Sequence, residues 1–214
     1  MHRNRAQCFK DFIAFPLRAI TLFHDDRWGL SSLASERFNY VAAEVQGRCL
    51  DVGCGYGNWF IKKYLGGNGV GIDVFPYKGL DKENIVKDLT RLPFSNASFD
   101  SVTFIANLNH APELQRDAEL IEAFRILRQG GNIIVTMGLP IVEVIVHKVV
   151  WVYDRFLGTQ VDMDSERGME EGENYYLTEA EIRQRLIKAG FQRIVRKPFW
   201  TQWGMNRLYI GWKE

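Results

Sequence analysis

The sequence lacks the residue patterns that mark disulfide-bonded and metal-binding proteins. Its 214 residues include three cysteines, Cys8, Cys49 and Cys54. They form neither a CxxC pair nor a zinc-ligand spacing, and an odd number argues against a disulfide framework. The histidines and the pair Asp25–Asp26 form no recognisable metal set either. We therefore expect a protein of a reducing, cytoplasmic compartment with no metal site.

The sequence also lacks a strong net charge and a long apolar run. The formal net charge is +1 and no basic run is present, so we expect no nucleic-acid partner. No apolar stretch reaches the 18 or so residues that span a membrane. The N-terminal segment is basic, but Pro16 and Arg18 interrupt its apolar run, which argues against a secretory signal. The sequence predicts one globular domain.

Two apolar segments with few charges stand out, Phe12–Phe23 and Pro140–Gly158. If the second is helical, its polar residues fall on one side and leave a broad apolar face. Two interpretations stay open. In the first, the apolar face packs against the core or forms a lid. In the second, it contacts lipid or an apolar substrate, and contact with lipid would make this a peripheral membrane protein.

From Arg48 onward, short apolar runs alternate with amphipathic segments, a pattern typical of βαβ units around a parallel sheet. Strands are predicted at Arg48–Gly53, Gly69–Asp73, Ser101–Ala106 and Asn132–Met137, with a further one ending near Asp88. Helices are predicted at Asn58–Leu65 and Glu113–Gly131, the second with Gly130 as its C-cap. Two final strands, Phe191–Trp200 and Met205–Lys213, are joined by four residues. Because no crossover helix fits there, they must be antiparallel neighbours.

The chain divides into four segments of a single domain. Residues 1–46 are predicted to be helical, and residues 47–137 form the core. Residues 138–177 are an insertion whose acidic stretch, Val161–Asn174, is typical of a mobile loop. Residues 178–214 form a helix and the hairpin, with Thr178 as N-cap, Glu181 completing a capping box and Gly190 ending the helix.

The stretch "LDVGCGYG" places three glycines directly after a strand. In a parallel sheet, ligands bind beyond the carboxyl ends of the strands, and Gly53, Gly55 and Gly57 let the backbone approach one closely. The spacing is G-x-G-x-G, whereas the dinucleotide fingerprint is G-x-G-x-x-G. Asp51 can hold a charged or amide-rich ligand end, and Asp73 can accept both hydroxyls of a ribose.

Asp88 is placed to accept from an adenine amino group. Ribose, adenine and a cationic tail without a phosphate site describe S-adenosylmethionine. Plainer interpretations stay open: Gly55 and Gly57 as turn residues, Asp73 as a strand-ending residue, and Asp88 as a helix or turn cap.

At these residues the chain resembles the class I S-adenosylmethionine-dependent methyltransferases, the broad group that includes the ubiquinone/menaquinone-biosynthesis methyltransferases. "LDVGCGYG", "GVGID" and "KDLTRLPFSNASFDSV" resemble the first three motifs. "IANLNHAPE" and "EAFRILRQGGNIIVT" are similar to the stretches around the fourth and fifth strands, although Gln129 stands where proline is usual. The resemblance covers about Gly47 to Thr136. It implies a Rossmann-like, seven-stranded, mostly parallel sheet that ends in an antiparallel hairpin, with helices on both faces.

The resemblance also implies cofactor-binding residues within the core, residues 47–137. The loop would surround the methionine portion, the end of the second strand would hold the ribose, and the next segment would hold the adenine. The implied residues are Asp51, Gly53, Cys54, Gly55, Gly57, Asp73, Val74, Asp88, Leu89 and Ala106.

His110 is the best candidate for a catalytic base, because it follows the fourth strand and the histidine side chain is suited to proton transfer. A loop histidine that only packs is the alternative. Asn107 and Asn109 could orient an acceptor or serve turns. Trp28 and the pair Tyr175–Tyr176 could form an aromatic wall around the acceptor or pack within a lid.

The expected class of methyl acceptor follows from sequence motifs that are absent. The Asn/Asp-Pro-Pro-Tyr/Phe segment of adenine-amino and glutamine methyltransferases does not follow the fourth strand, and no RNA-binding module is present. We expect a small, partly apolar metabolite. A lipid-linked acceptor and a binding protein without transfer activity stay open. An NAD-dependent oxidoreductase is disfavoured because no phosphate-holding helix start or Tyr-Lys pair is found.

Overall fold

The computed structural model describes residues 4–21, 25–157, 169 and 173–214 and shows a mixed sheet at its centre. The strand order is β2-β1-β3-β4-β6-β5. The strands are β1 (Cys49–Val52), β2 (Gly69–Ile72), β3 (Phe99–Ile105), β4 (Leu127–Gly138), β5 (Gln192–Pro198) and β6 (Asn206–Trp212). The first four are mutually parallel, and β6 runs antiparallel to both β4 and β5. The predicted Rossmann-like fold and its final hairpin are confirmed.

The sheet has six strands in the described part of the chain, not the seven expected. The segment that ends near Asp88 makes a single parallel bridge, Asp73 to Ile85. Val86 still donates its N–H to the carbonyl of Asp73 (2.9 Å). The ladder stops because the chain turns at Asp88, whose carboxylate accepts from the N–H of Thr90 (2.8 Å).

Six α-helices surround the sheet in the described residues: α1 (Arg5–Ile13), α2 (Phe15–Thr21), α3 (Leu33–Ala42), α4 (Glu113–Ile126), α5 (Pro140–Leu157) and α6 (Glu179–Lys188). Within the described part of residues 1–46, the predicted helices are found as α1, α2 and α3. The capping box of α6 is also confirmed, since Glu181 accepts from the N–H of Thr178 (2.7 Å) and donates its own N–H to Oγ1 of Thr178 (3.3 Å). Gly190 follows the helix with φ of +106°.

Two predicted helices have different bounds. Asn58–Leu65 is replaced by a 3₁₀ turn, Tyr56–Asn58, and a single π turn, Phe60–Tyr64, because residues 57 and 58 have positive φ and interrupt the helix. Helix α4 ends at Ile126 rather than near Gly130. Leu127 is already extended and pairs with Phe99, and Gly130 lies within β4, where it donates its N–H to the carbonyl of Lys213 (2.7 Å).

Alternating strand residues face two cores, one on each side of the sheet. In β4, Ile133 and Val135 join the core beneath α4 and α6, whereas Ile134 joins the core beneath α3. Helices therefore cover both faces, as predicted. None of the described helices is long and apolar enough to span a bilayer. Most of the acidic stretch predicted to be a mobile loop lies outside the described residues.

Candidate functional site

The glycine-rich loop leaves β1 at the edge where the parallel strands end. Gly53 has φ of +75°, and a Cβ atom there would lie 2.2 Å from the side chain of Asn107. Gly55 has φ of +61°, and nothing lies within 4 Å of the position its Cβ would take. Gly53 is therefore required by the packing of the loop. Gly55 faces open space, so the backbone beside it is free to contact a ligand.

Asp51 is buried at the end of β1 and is held by one side-chain hydrogen bond. Thr103 on β3 donates its hydroxyl to Oδ1 of Asp51 (2.7 Å). Burial raises the pKa of Asp51 to about 7; the hydrogen bond from Thr103 opposes this, and the nearby charge of Asp73 adds to it. The site thus holds a carboxyl group that titrates near neutral pH.

Asp73 joins the end of β2 to the glycine loop. Its Oδ2 accepts from the N–H of Gly55 (2.9 Å) and its Oδ1 from the N–H of Phe75 (3.0 Å). Cys54, next to Gly55, is buried, and burial raises the pKa of its thiol, with smaller contributions from Asp51 and Asp73. The thiol is therefore not a thiolate nucleophile at neutral pH.

A cavity of about 660 Å³ opens beyond β2. It is lined by Val74, Phe75, Lys87, Asp88, Leu89, Thr90, Gln115 and Glu119. The structure thus brings together three residues that the sequence assigned to the cofactor: Val74, Asp88 and Leu89. Asp88 also forms a turn, as the alternative interpretation of this residue expects. Its carboxylate accepts hydrogen bonds from the hydroxyl (2.6 Å) and the N–H of Thr90. These bonds lower the pKa of Asp88.

The end of β3 carries Ala106, which has an unusual backbone conformation. Its φ is +48°, and its N–H donates to Oγ1 of Thr136 on β4 (2.9 Å). The next residue, Asn107, is buried and donates its side-chain amide to the carbonyl of Val52 (3.0 Å). These bonds fix the loop after β3 against β1 and β4.

His110 ends a 3₁₀ turn, Leu108–His110, close to two other ring systems. The ring of His147 on α5 lies 5.5 Å from that of His110 and stacks on Tyr175 at 3.8 Å. Asn109 donates its Nδ2 to the carbonyl of Tyr175 (3.3 Å) and lies 3.1 Å from Nε2 of His110. The buried Oδ1 of Asn109 has no hydrogen-bond partner.

Residues 50–135 match the methyltransferase domain family. The chain belongs to the class I S-adenosylmethionine-dependent methyltransferases. It is 30% identical over 155 residues to the ubiquinone/menaquinone biosynthesis C-methyltransferase of Brucella anthropi, covering 68% of this chain and 57% of that one. It is 38% identical over 99 residues to 24-methylenesterol C-methyltransferase 2 of Oryza sativa subsp. japonica, covering 39% and 27%. The methyltransferase thus spans little more than half the length of the bacterial relative.

Solved structures share the fold of this methyltransferase. An S-adenosylmethionine-dependent methyltransferase of Thermotoga maritima superposes with a TM-score of 0.56 at 19% identity, covering 97% of this chain and 99% of that one. Another, from Archaeoglobus fulgidus, gives a TM-score of 0.56 at 14% identity, covering 84% and 92%. These likenesses confirm the predicted fold, and the match to the methyltransferase domain confirms the predicted family.

The structure also places residues that the sequence did not identify. Gln115 and Glu119 reach the cavity from the first turns of α4, where the sequence indicated only a core-facing helix. His147 is one of the polar residues on one side of the Pro140–Gly158 segment, and this pattern is the only sequence signal for it. Trp28 is 73% exposed in a turn beside α1, where Gln7 donates its side-chain amide to the carbonyl of Gly29 (2.9 Å). The described residues hold no group of three metal-ligand side chains.

Proposed function

We propose that this methyltransferase transfers a methyl group from S-adenosylmethionine to a small, partly apolar acceptor. The observation that carries the proposal is the convergence of Asp51, Gly55 and Asp73 at one strand edge, beside a cavity of about 660 Å³. S-adenosylmethionine supplies a methyl group on a positively charged sulfur. The protein then has to hold the cofactor, align the acceptor, exclude water and manage the acceptor's proton.

The side chains present fit this cofactor. The open backbone at Gly55 and the buried acid Asp51 suit the methionine portion, whose ammonium group would stabilise the ionised carboxylate. Each carboxylate oxygen of Asp73 accepts one backbone N–H, so each can still accept a hydrogen bond from a ribose hydroxyl. Asp88 and Leu89 would hold the adenine, with Val74 and Ala106 as neighbours.

His110 is proposed as the base that takes the acceptor's proton. Its support is its position in the loop after β3, next to the fixed backbone of Ala106. When Asn109 donates a hydrogen bond to Nε2 of His110, that nitrogen is already used as an acceptor. His110 could then take a proton at Nε2 only after this hydrogen bond is broken. We expect His110→Gln to lower kcat at least 100-fold with an unchanged Kd for the cofactor. Wild-type turnover would rule out this role.

The relatives' names favour a carbon atom of an apolar molecule as the acceptor. They act in quinone biosynthesis and on a methylenesterol, as their names state. In this chain, α1 and α2 expose Phe9, Ile13, Leu17 and Ile20 by half or more, and α5 exposes Ile141, Ile145, Trp151 and Phe156 by more than half. We infer that an acceptor embedded in lipid is the second candidate. Co-sedimentation with liposomes tests it, and a Leu17→Glu variant should pellet less; a wild-type protein that stays in the supernatant would contradict it.

Two measurements test the proposed function. Calorimetry with S-adenosylmethionine and S-adenosylhomocysteine should show binding that Asp73→Ala weakens at least tenfold. Incubation of a cell extract with the protein and radiolabelled S-adenosylmethionine should label a small apolar molecule. Binding without labelling in any extract fraction would favour a binding protein without transfer activity, and no binding at all would overturn the proposal.

A further inference from the structure

Arg116 on α4 is a buried arginine whose guanidinium binds three main-chain carbonyls. Its exposed fraction is 1%. Its Nε donates to the carbonyl of Ala111 (2.9 Å), and its Nη2 donates to the carbonyls of Asn109 (3.1 Å) and Asn174 (2.6 Å). An arginine stays charged inside a protein, and a buried charge needs such hydrogen bonds. The guanidinium therefore ties two distant segments of the chain to α4 and to each other.

These two segments carry His110 and Tyr175. The residues on either side of His110 supply two of the carbonyls, and Asn174 directly precedes Tyr175. Asn109 also donates its side-chain amide to the carbonyl of Tyr175 (3.3 Å). Arg116 and Asn109 thus fix the main chain at two successive residues, 174 and 175, against the loop that follows β3.

The ring of Tyr175 extends this connection to α5. It stacks on the ring of His147, with centroids 3.8 Å apart and planes inclined by 18°. The ring of His147 lies 5.5 Å from that of His110. Two residues after Tyr175, Leu177 is buried in the core. The main chain around Tyr175 is therefore held on both sides, and moving residue 174 would move the stack beside His110.

We propose that Arg116 is a positioning residue for methyl transfer, which holds the Tyr175–His147 stack beside His110 as one wall of the acceptor site. Because its donors bind main-chain carbonyls, Arg116 acts through the placement of these rings. Placement of this kind matters, since an error of about 1 Å in a reacting geometry can lower a rate about 100-fold. The proposal rests on the proposed function for the reaction that it serves, but the hold on the stack can be tested without catalysis.

The first test follows the ring protons of His147 by NMR in the ligand-free protein. Stacking on a tyrosine ring shifts these signals upfield, and a His147→Gln variant identifies them. Arg116→Gln should move the signals toward their random-coil positions. Arg125→Gln is the matched control, because Arg125 lies on the same helix and also donates to loop carbonyls, those of Leu92 and Phe94. It should leave the His147 signals in place.

The second test measures kcat/KM for the acceptor found by radiolabelling, and the Kd for S-adenosylhomocysteine. Arg116→Gln should lower kcat/KM at least tenfold and leave this Kd within twofold of the wild type. Arg125→Gln should keep both values within twofold. Tyr175→Leu should also lower kcat/KM at least tenfold. Adding Arg116→Gln to Tyr175→Leu should cause little further loss, because Arg116 acts through Tyr175.

Three results would overturn the positioning role: an unchanged His147 signal in Arg116→Gln, losses in kcat/KM that add fully in the double variant, or a wild-type kcat/KM in Tyr175→Leu. The last keeps the test decisive if Arg116→Gln does not fold. The proposed function fails on a different result, a wild-type protein that binds no S-adenosylmethionine. The NMR signal would still decide whether Arg116 holds the stack.

Discussion

Asp51 should make the ligand-free protein less stable as the pH rises, and replacing it with asparagine should remove this effect. Its carboxyl has an ordinary pKa of 3.8 and a pKa of about 7 in the folded protein. Below pH 3.8 the group is protonated in both states and contributes nothing. Between these values the unfolded chain ionises while the folded chain stays protonated, so the free energy of unfolding falls as pH rises. Above pH 7 the carboxyl is ionised in both states, and the free energy of unfolding stays lowered by the full amount.

The magnitude follows from the two pKa values. A difference of about three pH units, at about 1.4 kcal/mol each, makes the full cost on the order of 4 kcal/mol. Between pH 5 and pH 8 the wild type should lose about 2.5 kcal/mol relative to Asp51→Asn, because part of the loss lies below pH 5. Comparing the two proteins at each pH cancels the contributions of all other groups.

The assay is urea denaturation of both proteins at pH 5 and pH 8, without ligand. A stability difference between them that is the same at the two pH values would refute the reasoning, since it would mean that Asp51 does not titrate in this range. Under the proposed function, the cationic cofactor should bind the ionised form. Its affinity for the wild type should therefore fall as pH drops below 7, and Asp51→Asn should bind it weakly at every pH.

Two other substitutions test buried contacts, one in the glycine loop and one between α2 and α3. Gly53→Ala should cost about 2–4 kcal/mol in urea denaturation, because it strains a positive φ and drives a Cβ atom into Asn107; a loss below 1 kcal/mol would contradict this packing. Arg18→Met should destabilise by about 3–5 kcal/mol in the same assay, because it removes the ion-pair partner of the buried acid Glu36. Combining Arg18→Met with Glu36→Gln should recover most of the loss, since no buried charge is then left unpaired.

The parts of the fold that could be predicted are those set by local patterns. The final hairpin follows from the short link between two apolar runs, and the start of α6 follows from Thr178 and Glu181. The end of α4 could not be predicted. Leu127 continues the helical spacing of apolar residues, but pairing with Phe99 on a distant strand makes it extended. The missing strand near Asp88 has the same kind of cause, because a local turn competes with sheet pairing there.

The site shows the same division. Asp51, Asp73 and the glycines could be located because one short segment and the next strand end carry them. His147 could not, since it is an isolated polar residue on α5 and only tertiary packing brings it beside His110 and Tyr175. A sequence motif reports residues that act together within one loop. Side chains on separate helices come together only through tertiary packing, which no local sequence pattern reports.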